Sequence, residues 1–129
     1  MKVLLDTNAL SALWSGDERV LEALGQADTV LMSIIVLGEL HAGFRGGTRL
    51  KENRARLAEF LIKPTVRPLQ LSVETAEVYG QLKDQLKRAG TPIPINDIWL
   101  SAQAIETGSI VVTFDQHFNK VSGVRLWGF

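Results

Sequence analysis

Runs of three to five residues that are mostly apolar alternate with longer amphipathic stretches along the whole chain. This alternation constrains the fold more than any other feature. Val3–Leu5, Val30–Met32, Arg67–Leu71, Ile110–Thr113 and Val124–Trp127 read as short strands, with Pro68 pointing to a sheet edge for the third. The connections between them are mostly helical in pattern. Short strands joined by helices predict an α/β fold, a three-layer α/β/α sandwich around a five-stranded, mostly parallel sheet with right-handed crossovers.

The helices carry their own punctuation. Thr7 or Asn8 is expected to cap a short helix running through Leu13, and Asp17 to start another that reaches Gly25. Ser33 caps a helix from Ile34 to about Phe44 that ends in glycines. Arg49 to Ile62 is helical in composition, with Leu50, Leu57 and Leu61 at helical spacing. Ser72 caps a helix whose stripe is Tyr79, Leu82, Leu86 and Ala89, stopped by Gly90 and Pro92. A last helix starts at Asn96, buries Ile98, Ala102 and Ile105, and ends at Gly108.

Composition narrows the functional classes. With 129 residues, 46% of them hydrophobic, one domain spanning 1–129 is expected and disorder is not. No apolar run approaches the roughly 20 residues that cross a bilayer, and Asp6 interrupts any secretory signal core, which needs about 7–15 apolar residues. A cytoplasmic protein with no membrane partner is the expectation. The absence of cysteine removes disulfides and thiolate metal sites. Fourteen basic and fourteen acidic residues argue against coating nucleic acid by bulk positive charge, but not against acting on it with a few placed groups.

In an open parallel sheet, ligands bind beyond the carboxyl ends of the strands. Asp6 follows the first strand and Asp115 the fourth. Asp97 opens the helix that feeds the fourth strand, and Glu39 lies in the helix after the second. These four are separated by 33, 58 and 18 residues, yet all can reach one rim of a domain with a radius of gyration of about 14 Å. Each also has an ordinary reading as a cap, a loop acid or a solvated helix residue. Clustered carboxylates raise one another's pKa and persist most readily around a divalent cation. All-oxygen ligands point to Mg²⁺ or Mn²⁺ rather than zinc, and such sites commonly act on phosphates.

Four segments together resemble the PIN-domain ribonucleases, especially the VapC-type toxins of bacterial toxin–antitoxin pairs. They are Val3-Leu4-Leu5-Asp6-Thr7-Asn8, Ser33 to Gly43 with Glu39-Leu40, Asn96-Asp97-Ile98 with Ala102, and Thr113-Phe114-Asp115 with His117-Phe118. Their order and spacing match the family over essentially the whole chain. The resemblance implies the strand order 3-2-1-4-5 and metal-dependent hydrolysis of RNA, leaving 5′-phosphate and 3′-hydroxyl ends. It makes Asp6, Glu39, Asp97 and Asp115 the catalytic and metal-binding residues, with Mg²⁺ or Mn²⁺ as cofactor. Thr7, Asn8 and Thr113 would hold carboxylates or the scissile phosphate. It also implies a homodimer, and an assembly with a small VapB-like antitoxin that covers the active site and supplies any contact with DNA.

Other features stay open. Arg45, Arg49, Lys51, Arg54 and Arg56 form a basic cluster: a solvated helix face, an RNA track or a partner surface. His41 and His117 match no ligand spacing and are not needed beside four carboxylates. Trp99 and Trp127 read as core or interface aromatics, and Trp14 as partly exposed and able to meet a partner. A phosphoryl-accepting receiver domain would need a second acid beside Asp6 and an acceptor Asp after the third strand, where Leu71-Ser72-Val73 stands. A haloacid-dehalogenase-type phosphatase would need an acid where Thr7-Asn8 stands. A non-catalytic PIN-like interaction module and a structure-specific DNase are the remaining alternatives.

Overall fold

The computed structural model describes residues 1–129. Strands β1 (Lys2–Leu5), β2 (Thr29–Ser33), β3 (Val66–Leu69), β4 (Ile110–Val112) and β5 (Arg125–Leu126) form one sheet in the order β3-β2-β1-β4-β5. All four pairings are parallel, so no antiparallel strand joins the sheet. Parallel neighbours need long crossovers. These are supplied by α1 (Thr7–Trp14), α2 (Glu18–Gln26), α3 (Ile34–Gly46), α4 (Leu50–Leu61), α5 (Val73–Ala89), α6 (Ile95–Thr107) and a 3₁₀ helix at Gln116–Lys120.

The central strand is buried on both sides. Val3, Leu4 and Leu5 are wholly inaccessible to solvent, and burying each stabilises the fold by about 1.5–3 kcal/mol. Val30, Met32, Val111 and Val112 continue this core, and Val36, Leu57, Phe60, Leu100 and Phe118 cover it. A smaller cluster joins α5 to α6 through Leu82, Leu86, Ile98 and Ala102. A rigid β1 fixes where the chain emerges at Asp6. The connection from β1 leads to β2 on one side, and that from β4 leads to β5 on the other. The crevice of the sheet therefore opens between the ends of β1 and β4.

Several local expectations need correction. The cap of α1 is Asp6, not Thr7 or Asn8: its side chain is already committed to the Ala9 amide, so the helix begins one residue early. The third strand ends at Leu69 and the fifth is only Arg125–Leu126. The last helix begins at Ile95, after Pro94. Arg49 and Ile62 flank α4 rather than lie in it, and its inner face is Leu57 and Phe60. Ala89 is exposed in the last turn of α5, at the rim of a small hollow shared with Leu86 and Val121. Other signals operate as written. Ser72 makes a capping box with Thr75, and Gly90 and Gly108 end α5 and α6 at φ 69° and 66°. Pro68 sits on the edge strand β3.

Candidate active site

The two strands that flank the crevice each lead into an acid, Asp6 directly after β1 and Asp115 three residues after β4. Asp6 is almost fully buried. Its Oδ1 accepts the Ala9 N–H at 2.8 Å, and its Oδ2 accepts the hydroxyl of Thr113. The Thr113 hydroxyl oxygen also accepts the Asp115 N–H at 2.9 Å. One buried threonine at the end of β4 thus ties the two acids' loops together. Asp115 caps the 3₁₀ helix through the His117 N–H, at 2.9 Å.

The other two acids arrive on helices. Asp97 lies in the first turn of α6, where the helix N-terminus favours negative charge. Glu39 lies on an exposed turn of α3, and its Oε1 accepts the Thr7 hydroxyl at 2.8 Å. Asp6, Glu39, Asp97 and Asp115 line one open cleft of about 480 Å³ together with Thr7, Asn8, Pro94, Ile95, Asn96 and Leu100. No lysine or arginine lines it. Thr113 holds the cleft from below and is not part of its wall.

Four acids with no lysine or arginine among them are electrostatically unfavourable. The carboxyl of Asp6 is pushed above the usual range, chiefly by burial and further by Asp97 and Asp115, although the Thr113 and Ala9 hydrogen bonds oppose the shift. That of Asp97 is raised mainly by burial and also by Asp115 and Glu39, against the pull of His117. This donor set suits a hard divalent cation: oxygen ligands, uncompensated negative charge and an open face for water. The ligand atoms of Asp97, Asp115 and His117 lie within 4.8 Å of one another, a separation a single ion can bridge.

His117 is the residue whose place the sequence did not disclose. Its Nδ1 lies 3.2 Å from Asp97 Oδ2 and 2.9 Å from Asp115 Oδ1. The position two residues after a capping Asp was the available signal, but a 3₁₀ turn there leaves no periodic pattern to read. His41 is elsewhere, exposed and edge-on to Phe44.

The basic cluster does not reach the cleft wall. Arg45, Arg49, Lys51, Arg54 and Arg56 are all exposed, on the end of α3 and along α4. Arg56 is engaged: it donates to the Trp14 carbonyl at 3.0 Å and lies 4.9 Å from the Trp14 ring centre. Trp14 is half-buried against Phe44, Trp99 stacks on Tyr79 at 3.9 Å, and Trp127 packs against the main core.

Comparison with known proteins agrees with this architecture. The PIN domain family profile matches residues 3–124. Ribonuclease VapC2 of Rickettsia felis is 30% identical over 93 residues, covering 72% of this chain and 68% of that protein. Ribonuclease VapC5 of Mycobacterium tuberculosis is 28% identical over 120 residues, covering 93% and 87%. Among solved structures, VapBC2 from Rickettsia felis bound to a promoter DNA fragment superposes with a TM-score of 0.85 at 26% identity, over 98% of both chains. DNA-bound VapBC from Salmonella typhimurium gives 0.87 at 26% identity, over 98% of this chain and 97% of that one.

Proposed function

The chain belongs to the PIN domain family, and on that premise we propose that it is a divalent-metal-dependent endoribonuclease, the toxin of a toxin–antitoxin pair. The observation that carries the chemistry is the cleft itself, which gathers four carboxylates and no lysine or arginine at the carboxyl ends of β1 and β4. The relatives named ribonuclease VapC support RNA as substrate. The VapBC complexes among the structural neighbours support a VapB-like antitoxin as partner, with DNA contacted through it. A cytoplasmic location and a homodimer complete the reading.

Asp6, Glu39, Asp97 and Asp115 would hold Mg²⁺ or Mn²⁺, with His117 bracing the last two. A divalent cation held there would supply Lewis-acid polarisation of a phosphoryl oxygen and a bound water of lowered pKa. The chain's own residues do the positioning. Thr113 and the Ala9 amide fix both oxygens of Asp6. Thr7 fixes Glu39 so that its carboxylate faces the cleft from the opposite helix. Asn8 and Asn96, both exposed on the cleft wall, offer amide donors to a phosphodiester's oxygens. In the overall reaction water adds to phosphorus, the bond to the 3′ oxygen breaks, and 5′-phosphate and 3′-hydroxyl ends remain.

The test is cleavage of a mixed-sequence RNA by purified protein with Mg²⁺, followed by end-group analysis. Asp6→Asn is expected to lose more than about 100-fold in rate, beyond what outer-shell losses usually give. EDTA is expected to abolish cutting. Cleavage by Asp6→Asn at the wild-type rate, or cutting indifferent to EDTA, would refute the site.

A further inference from the structure

Beside the acidic cleft lies an aromatic cluster that none of these roles uses. Phe114 sits between Thr113, which donates to Asp6, and Asp115. Its ring stacks on that of Phe129, with centres 4.5 Å apart and planes 21° from parallel. The guanidinium of Arg19, at the start of α2, lies 4.8 Å from the Phe114 ring centre and 5.5 Å from that of Phe129. Three segments distant in sequence thus converge where β4 ends.

The distances say how the cluster is built. A guanidinium capping the stack from beyond Phe114 would lie roughly 9 Å from Phe129, whose far face it would never approach. At 5.5 Å it instead flanks both rings. Phe129 is 47% exposed even with Phe114 stacked on it and Arg19 beside it. An exposed phenylalanine stacked on a second ring and flanked by a cation is a ready surface for another π-system. Arg19 is also only partly spent. Asp17 accepts its Nε–H at 3.3 Å and one Nη2 hydrogen at 2.8 Å, which leaves three of its five donors and a side chain 61% exposed.

We propose that Phe129, backed by Phe114, is a stacking platform for a nucleobase that flanks the scissile phosphate, and that Arg19 holds that nucleotide's phosphate. This rests on the ribonuclease reading. Phe114 is joined directly to Asp115 of the cleft, their Cα atoms about 3.8 Å apart, so the stack begins where the cleft's acids begin. Stacking is tolerant of base identity, so the platform sets register and affinity rather than a strict sequence.

The experiment crosses protein variants with RNA variants. A short oligoribonucleotide with one known cut is prepared with an abasic residue at each position flanking the cut in turn. For the wild type, one abasic position is expected to lower kcat/KM roughly 10-fold, the loss of one stacked base. In Phe129→Ala the same abasic RNA is expected to cause no further loss. Phe129→Trp is expected to restore both the rate and the abasic penalty. Arg19→Ala is expected to reduce the slope of log affinity against log salt by roughly 0.7, one phosphate contact on a single strand. Thermal melts check that every variant folds. Abasic and Phe129→Ala losses that multiply independently, with the salt slope unchanged in Arg19→Ala, would reduce the cluster to a structural clamp and overturn the inference while leaving the ribonuclease reading intact. If the wild type cuts no RNA at all, both readings fail.

Discussion

Asp6 uses one carboxylate oxygen to cap α1, through the Ala9 amide, and the other to accept the Thr113 hydroxyl. A buried acid so fixed cannot swing away from its neighbours, and its charge is costly until a cation compensates it. Thr113→Val removes the Asp6 donor and the Asp115 N–H acceptor together. It is expected to lower cleavage by roughly 10–100-fold and to destabilise the fold by about 1–3 kcal/mol, measured by denaturant unfolding. It also removes an interaction that lowers the Asp6 pKa. The acid limb of the pH–rate profile is therefore expected to move to higher pH.

The same acids set a pH dependence of stability in the metal-free protein. Asp6 and Asp97 have folded-state values raised above the ordinary 3.8, so the folded chain holds their protons more tightly than the unfolded one. Their contribution to stability is full below the ordinary value and is lost as pH rises through the raised values. In EDTA near pH 7, Asp97→Asn is expected to melt a few degrees above the wild type, by about 2–6 °C. Added Mn²⁺ is expected to raise the wild type's Tm and leave that of Asp97→Asn nearly unchanged. A lower Tm for Asp97→Asn in EDTA would mean that the His117 contact outweighs the burial and repulsion.

At the scale of elements, the helices and strands exist where hydrophobic period and punctuation say they should, because each signal is local. Gly108 shows this directly. It ends α6 at φ 66° with no atom within 4 Å of where a Cβ would stand, so its value is conformational rather than steric. Gly108→Ala is expected to cost about 1 kcal/mol in thermal or denaturant unfolding, with cleavage per folded molecule unchanged. What was not legible depends on partners far along the chain. Thr7 and Asn8 are good caps in isolation, but Asp6 is positioned by Thr113, 107 residues away. The 3₁₀ helix after Asp115 has no period to detect, and so the junction of His117 with Asp97 was hidden. The pairing of Phe114 with Phe129 beside Arg19 is likewise a product of topology, since only the assembled sheet brings these ends together.

For the whole molecule, the neutral balance conceals a division. Residues 1–44 carry −4, residues 45–67 carry +5 and residues 68–129 carry −1. The acidic surplus of the first segment includes Asp6 and Glu39 of the cleft, while the positive segment is exposed along the end of α3, α4 and β3. The four carboxylates and their order were legible from motif spacing, and so was the sheet order from the resemblance they carry. The use of the basic cluster was not, because exposed arginines look alike whether they meet water, RNA or protein. Arg49→Glu with Arg54→Glu is expected to weaken binding of RNA or of the antitoxin at fixed low salt. Unchanged affinity for both would make the cluster a solvated face.

The central claim is that the carboxylate cleft works through a divalent cation to cut RNA. The most direct measurement is the initial rate of RNA cleavage as a function of Mg²⁺ concentration, for the wild type and Asp97→Asn side by side. The wild type is expected to be silent in EDTA and to rise to saturation, and Asp97→Asn to stay near zero or to need far more cation. Equal rates for the two proteins, or a wild-type rate that does not depend on Mg²⁺, would contradict the account.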